Sequence, residues 1–253
     1  MTTLTLMANV NSHNRLQQIK KTLKLAFEGL NVETKILATV ADRWVQIALT
    51  GEDEEIATNY VIKEIGLCPS NFGNVKKIST LKGYIANFKK NGAELPIDVG
   101  VFQPKIVYAT IPLRHLQAQL VDGRTVALGK IAELYGFCED LPVSVKVIHL
   151  DEGKKRIEAE LSTKQVGKYM VWQESLLDRL VVLGPSHHEI EMTLEHAKLE
   201  RDVIGVETLG PLEHALTCKL GTDGAGLIPK IGRKLNASFV VFNRKRLRQF
   251  LEA

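Results

Sequence analysis

The segment 141–162 constrains the fold of this chain more tightly than any other. Two runs of two-residue periodicity flank a turn rich in Asp, Glu, Gly and Lys, the pattern of a β-hairpin. In the first arm Val143, Val145 and Val147 share one face, with Ser144, Lys146 and Ile148 on the other. In the second, Ile157, Ala159 and Leu161 alternate with Glu158 and Glu160. Such alternation suits strands with one buried and one solvated face.

Upstream segments extend the pattern. Residues 82–85 form a Gly-containing strand around Gly83, residues 98–101 a second strand, and residues 109–116 a third strand with the turn that follows. In this order the motifs resemble the S-one RNA-binding domain, an OB-fold module repeated in a ribosomal protein. The resemblance covers about a third of the chain, with insertions after Asn91 and from Gln117 to Phe137. It implies a closed five-stranded barrel; an unrelated small barrel or meander would carry the same alternation.

At 253 residues the chain is long enough for two or three domains. Hydrophobic content of 45% and charge of 25% describe a folded globular protein. A net charge of +4 permits an anionic partner without demanding one. Cys68, Cys138 and Cys218 are far apart, which argues against a zinc ribbon, a redox pair or a disulfide scaffold. Polar residues interrupt any secretory leader, and no apolar run is long enough to cross a bilayer, so a cytoplasmic location is expected.

The flanks read as α+β units. Residues 1–74 follow the order βαββα: a strand near Leu4–Ala8, a helix capped by Asn11 or Ser12, a hairpin around residues 41–43, and a second helix from Glu52. Residues 164–253 begin with a helix over 165–184 carrying Met170, Trp172, Leu176, Leu177, Leu180 and Leu183. Ser186 caps the next helix. A hairpin, a short helix near Leu227, a buried strand over 237–242 and a basic terminal helix follow. The expected architecture is α+β and multidomain: a central OB-type barrel at 75–163 between two small α+β domains.

Cations select the candidate chemistry. In the barrel they are Lys82, Lys89, Lys90, Lys105, Arg114 and His115, interleaved with the aromatics Tyr84, Phe88 and Tyr108. OB surfaces stack bases on aromatics while cations follow the phosphates. The aromatics usual on the second and third strands of the S-one domain are missing, so loops and charge are expected to carry docking. Gly221 and Gly224 precede a helix holding Lys230, Arg233 and Lys234, which resembles a KH RNA-binding loop. Asp223 stands there, however, where a phosphate would approach, and a simple capped turn is the preferred reading. Arg244, Lys245, Arg246 and Arg248 form the densest positive patch.

Other constellations are weak. His187, Glu191, Glu195 and His196 lie at helical spacing, but without the His-Glu-x-x-His order or a third ligand, so no metal is expected. No P-loop, nucleophile elbow or dinucleotide fingerprint is present. Glu94, Asp98, Asp140, Asp151 and Glu152 are scattered. The chain also resembles an uncharacterised archaeal protein family through residues 218–232. The reading that follows is a non-catalytic, cofactor-free RNA-binding protein of the ribosome or another translation or transcription assembly. Ribosomal or transfer RNA is its expected partner, with ribosomal or RNA polymerase proteins as further contacts. A protein–protein adaptor is the first alternative, and an RNA-processing enzyme the second.

Overall fold

The computed structural model describes residues 1–175 and 177–252. Its N-terminal part runs β1 (Thr2–Asn9), α1 (His13–Ala26), β2 (Val32–Val40), β3 (Trp44–Gly51) and α2 (Glu54–Tyr60), the last continued by a π-helical turn at Val61–Ile65. Ser12 rather than Asn11 caps α1, its Oγ accepting from the Arg15 amide. The antiparallel sheet has the order β1-β3-β2. Ile19 and Leu23 of α1, with Ala57 and Val61 near the second helix, bury against Leu4, Leu6, Val45 and Ile47. Both helices therefore cover one face, as the apolar periodicity demands. Ala41 and Asp42 turn the hairpin at positive φ and deliver Arg43 to the uncovered face.

The middle part holds β4 (Ser70–Asn71), β5 (Thr80–Ile85), β6 (Glu94–Gln103), β7 (Val107–Pro112), α3 (Leu113–Leu120), α4 (Leu128–Tyr135), β8 (Pro142–Asp151) and β9 (Arg156–Leu161). β5 pairs with β6, β6 with β7, β7 with β9 in parallel, β9 with β8, and β8 with β5. Five strands thus close on themselves in the OB circuit. The alternation read from sequence is the inside of this barrel: Val143, Val145, Val147, Ile157, Ala159 and Leu161 are all buried. Each of the Val, Ile and Leu side chains contributes about 1.5–3 kcal/mol. The insertion at 117–137 completes α3 and supplies α4, and Leu116, Ile131 and Tyr135 of these helices join the same core.

The last part comprises α5 (Thr163–Glu174), β10 (Arg179–Leu183), α6 (His187–His196), β11 (Val203–Gly210), β12 (Glu213–Cys218), α7 (Gly224–Ile231), β13 (Ser238–Phe242) and α8 (Arg244–Glu252). The expected helix over 165–184 is corrected: it ends at Glu174, and Arg179–Leu183 is a fully buried strand at the centre of a sheet ordered β11-β12-β10-β13. A short run of Leu and Val fits either element by periodicity, and sheet partners on both sides decide it. Leu176, assigned to that helix, lies outside the described residues. The strand over 237–242 is an edge and only half-buried, not a buried strand. Val181, Leu183, Ala215 and Phe242 merge with the barrel core, so one apolar interior runs through both parts. Among the described residues no helix is long and apolar enough to cross a membrane.

Candidate nucleic-acid interface

Two residues expected at a binding surface already have partners within the molecule, Tyr84 buried and Lys82 exposed. Tyr84 is 1% exposed, its hydroxyl donating to the Met7 carbonyl at 3.2 Å with Glu213 Oε2 3.4 Å away. It packs on Trp44, because the uncovered face of the N-terminal sheet lies over β5. It offers no ring to a base. Lys82 directs Nζ to the carbonyls of Lys63, Glu64 and Ile65 at 3.5, 3.1 and 3.3 Å, closing the π-helical turn as a C-terminal cap. Desolvation lowers its pKa. Tyr84 is a correction, because a strand's outer face can be covered by another domain; Lys82 stays exposed, but its ammonium is already bonded.

Arg114 and His115 stand beside acids. Arg114 pairs with Glu158 at 3.2 Å, His115 lies 4.0 Å from Glu158 and 3.9 Å from Glu160, and Arg156 pairs with Glu94 at 2.9 Å. The β7–β9 face is therefore balanced in charge rather than basic. Phe88 is half-buried against the barrel core.

The opposite situation holds where β5 begins, β6 passes to β7, and β8 passes to β9. Antiparallel pairing brings these three connections to one end of the barrel. They carry Lys76, Lys77, Lys105, Lys154 and Lys155, all exposed, and among the described residues none forms an ion pair. The Ile78 amide bonds the Val147 carbonyl, which sets the first connection against β8. Asp151 accepts from the Lys154 amide at 2.9 Å, which fixes the β8–β9 turn. Lys155 Nζ sits 4.8 Å above the Phe72 ring. Ile78, Ile106 and Tyr108 are 70%, 52% and 42% exposed among these cations. Unpaired lysines around accessible apolar and aromatic groups form the combination that holds single-stranded nucleic acid. Sequence reasoning named Lys105 and Tyr108 as candidates. It passed over Lys76, Lys77, Lys154 and Lys155, although Lys-Lys pairs flanking the first strand and the hairpin turn were the available signal.

Other basic candidates are more dispersed. Lys89 and Lys90 lie at the other barrel end, where the Lys90 carbonyl accepts from Gly129 at the start of α4. α8 packs near α4 and α5, but Arg244 donates to the Gln173 carbonyl, Arg248 pairs with Glu252, and Arg246 lies 4.0 Å from Glu133. Lys230 pairs with Asp202 at 3.3 Å, while Arg233 and Lys234 are exposed. Asp223 caps α7 by accepting from the Ala225 amide, so the Gly-rich loop is a capped turn.

Of the scattered acids, Asp98 and Asp140 converge, with Arg43 between them at 3.1 and 2.5 Å. Arg15 and Asn11 also reach Asp140, at 3.3 and 3.1 Å. Burial raises the Asp98 pKa, with the Gly100 amide and Arg43 opposing. The carboxylates are spent on a guanidinium, which suits a structural pin. His187 pairs with Glu191 at 3.2 Å. Among the described residues no group of three or more His, Cys, Asp or Glu side chains is placed to hold a metal.

Comparison with known proteins gives a consistent family match along the chain. Family models described as the DUF2110 N-terminal, central and C-terminal domains match residues 2–71, 75–173 and 177–242. A search of curated proteins finds no match. Similar solved structures include an uncharacterized protein of Methanocaldococcus jannaschii, at 15% identity and TM-score 0.25, covering 35% of this chain and 95% of that one. An a/eIF2alpha–aDim2p–rRNA complex of Pyrococcus horikoshii OT3 matches at 15% and 0.26, covering 51% and 70%. The intact alpha subunit of aIF2 from Pyrococcus abyssi matches at 11% and 0.28, covering 67% and 97%. Likeness this distant says nothing about what this chain binds.

Proposed function

Taking as premise that the chain belongs to the DUF2110 family, we propose that it is a non-catalytic RNA-binding protein whose barrel end grips single-stranded or looped RNA. The observation that carries this reading is the set of five exposed, unpaired lysines at three adjoining connections, with Tyr108 among them. The lysines follow phosphates, and Tyr108 offers a ring to one base. The Phe72–Lys155 contact and the Asp151 turn hold two of the three connections in place before RNA arrives. Ribosomal or transfer RNA is the partner class proposed, on the barrel type alone, which is an analogy at fold level.

The test is RNA affinity as a function of salt. Reversing Lys76, Lys77, Lys105, Lys154 and Lys155 to Glu should weaken binding strongly and reduce the slope of log K against log salt by up to about 3.5, at about 0.7 per lost phosphate contact. Reversing Arg244, Lys245, Arg246 and Arg248 should do less, since three of those four already have partners. If the second set abolishes binding and the first leaves it unchanged, the assignment of the site is wrong. If neither set changes binding, or the wild type binds no RNA at low salt, the function itself is wrong.

A further inference from the structure

A cleft of about 710 Å³ lies between α1 and the second helix on one side and α6 with the β11–β12 turn on the other, within the size range of small-molecule pockets. Leu25, Tyr60, Met192 and Pro211 make its walls largely apolar. The polar groups behind the walls are left unsatisfied. Among the described residues, Thr22 Oγ1, His187 Nδ1 and both ring nitrogens of His214 have no hydrogen-bond partner of good geometry, although the Pro185 carbonyl lies near the His214 ring. His214 is 1% exposed, held on β12 between Val182 and Thr208. Burying a polar group without a partner is costly, so a fold that keeps several beside one cavity leaves hydrogen bonds for a ligand to make.

The bonding character of these groups narrows the ligand. Desolvation first, then His187, push the His214 ring down to about 4, with the Pro185 carbonyl opposing weakly. At neutral pH the ring is uncharged and offers one donor and one acceptor. The Glu191 carboxylate 3.2 Å from His187 Nε2 keeps the proton there in the neutral ring, which leaves Nδ1 a bare acceptor. Glu64 and Glu189 line the cavity against the single cation Lys21. Acceptors therefore outnumber donors, and the lining disfavours a phosphate. The His187 ring stands 5.5 Å from that of His214, and both imidazoles line the same cleft.

We propose that this cleft binds a planar heteroaromatic ring bearing an exocyclic amino group, of the adenine or cytosine kind, with the ring between the apolar walls and the amino group on His187 Nδ1. The base could come from a free nucleoside or from an unpaired base of RNA, and the inference does not depend on the lysine-rich barrel end.

The test follows the imidazole resonances of His214 and His187 by NMR while adenosine, uridine or a short oligoadenylate is added to the full chain. Adenosine should shift them saturably, and uridine, which lacks the amino group, should bind about tenfold more weakly. Shifts by oligoadenylate alone, retained when the five barrel-end lysines are reversed, would assign the base to RNA. His214→Leu removes the orphaned nitrogens and should cut affinity about tenfold while leaving stability unchanged or higher. If that variant fails to fold, Met192→Trp at the rim, 40% exposed, should block entry. Equal binding of adenosine and uridine, no shift from any of the three probes, or binding untouched in a folded His214→Leu or Met192→Trp variant overturns the proposal.

Discussion

Gly100 holds φ at +73°, and a Cβ built there would lie 2.7 Å from Cys68 Sγ. Its amide donates to Asp98 Oδ1 at 3.1 Å, so the same residue orders the buried carboxylate. Gly100→Ala should destabilise the chain by about 2–4 kcal/mol, combining left-handed backbone strain with overpacking, as read by urea denaturation. Gly83 is a different kind of glycine. Its conformation is ordinary, but a Cβ would meet the Asp98 carbonyl and Ile97 at 2.7 Å, because β5 and β6 cross closely there. The sequence marks both positions only as glycine; the reasons differ and belong to the neighbours.

β12 places two titratable residues side by side and sends them to opposite faces. Glu213 faces the barrel, where burial raises its pKa to about 7 and Arg15 only partly compensates. His214 faces the cleft, with its pKa lowered to about 4. For Glu213 the folded state holds the proton more tightly than the unfolded chain. Its contribution is therefore complete below the ordinary value of 4.5 and is lost as pH rises through about 7. For His214 the unfolded chain holds the proton more tightly, so stability falls as pH drops from 6.5 toward 4. Glu213→Gln removes the first effect alone. Relative to wild type it should gain stability between pH 5 and pH 8, by on the order of 3 kcal/mol. Denaturant melts at the two pH values give the difference directly, and an equal offset at both would show that Glu213 does not titrate in this range.

Asp140 ties the N-terminal sheet to the barrel at the scale of the whole molecule. Arg15 and Arg43 pair with it, and Arg43 reaches Asp98 as well. Arg43→Met leaves Asp98, 4% exposed, without its counter-charge, and should cost about 3–5 kcal/mol. A thermal melt that shifts no more than a surface substitution would deny the pin its role. Much of the fold was legible beforehand. Two-residue alternation at 143–147 and 157–161 marks the barrel interior, and Ser12, Ser186 and Asp223 mark helix starts by local chemistry that needs no distant partner. The run 179–183 misled, since a short apolar segment acquires its identity from the strands beside it. The site was less legible still. Which lysines stand free depends on where acids and carbonyls fall after folding: Lys82 looked available and caps a helix, whereas Lys154 and Lys155 looked like turn residues and join Lys76, Lys77 and Lys105. By itself the sequence determined the local periodicities and the caps, because these follow from residue order over short spans, while closure of the barrel was only what the resemblance implied. Only the tertiary structure decided which faces are covered, which charges are paired, and which buried imidazole is left without a partner, because those depend on groups far apart in the chain being brought together.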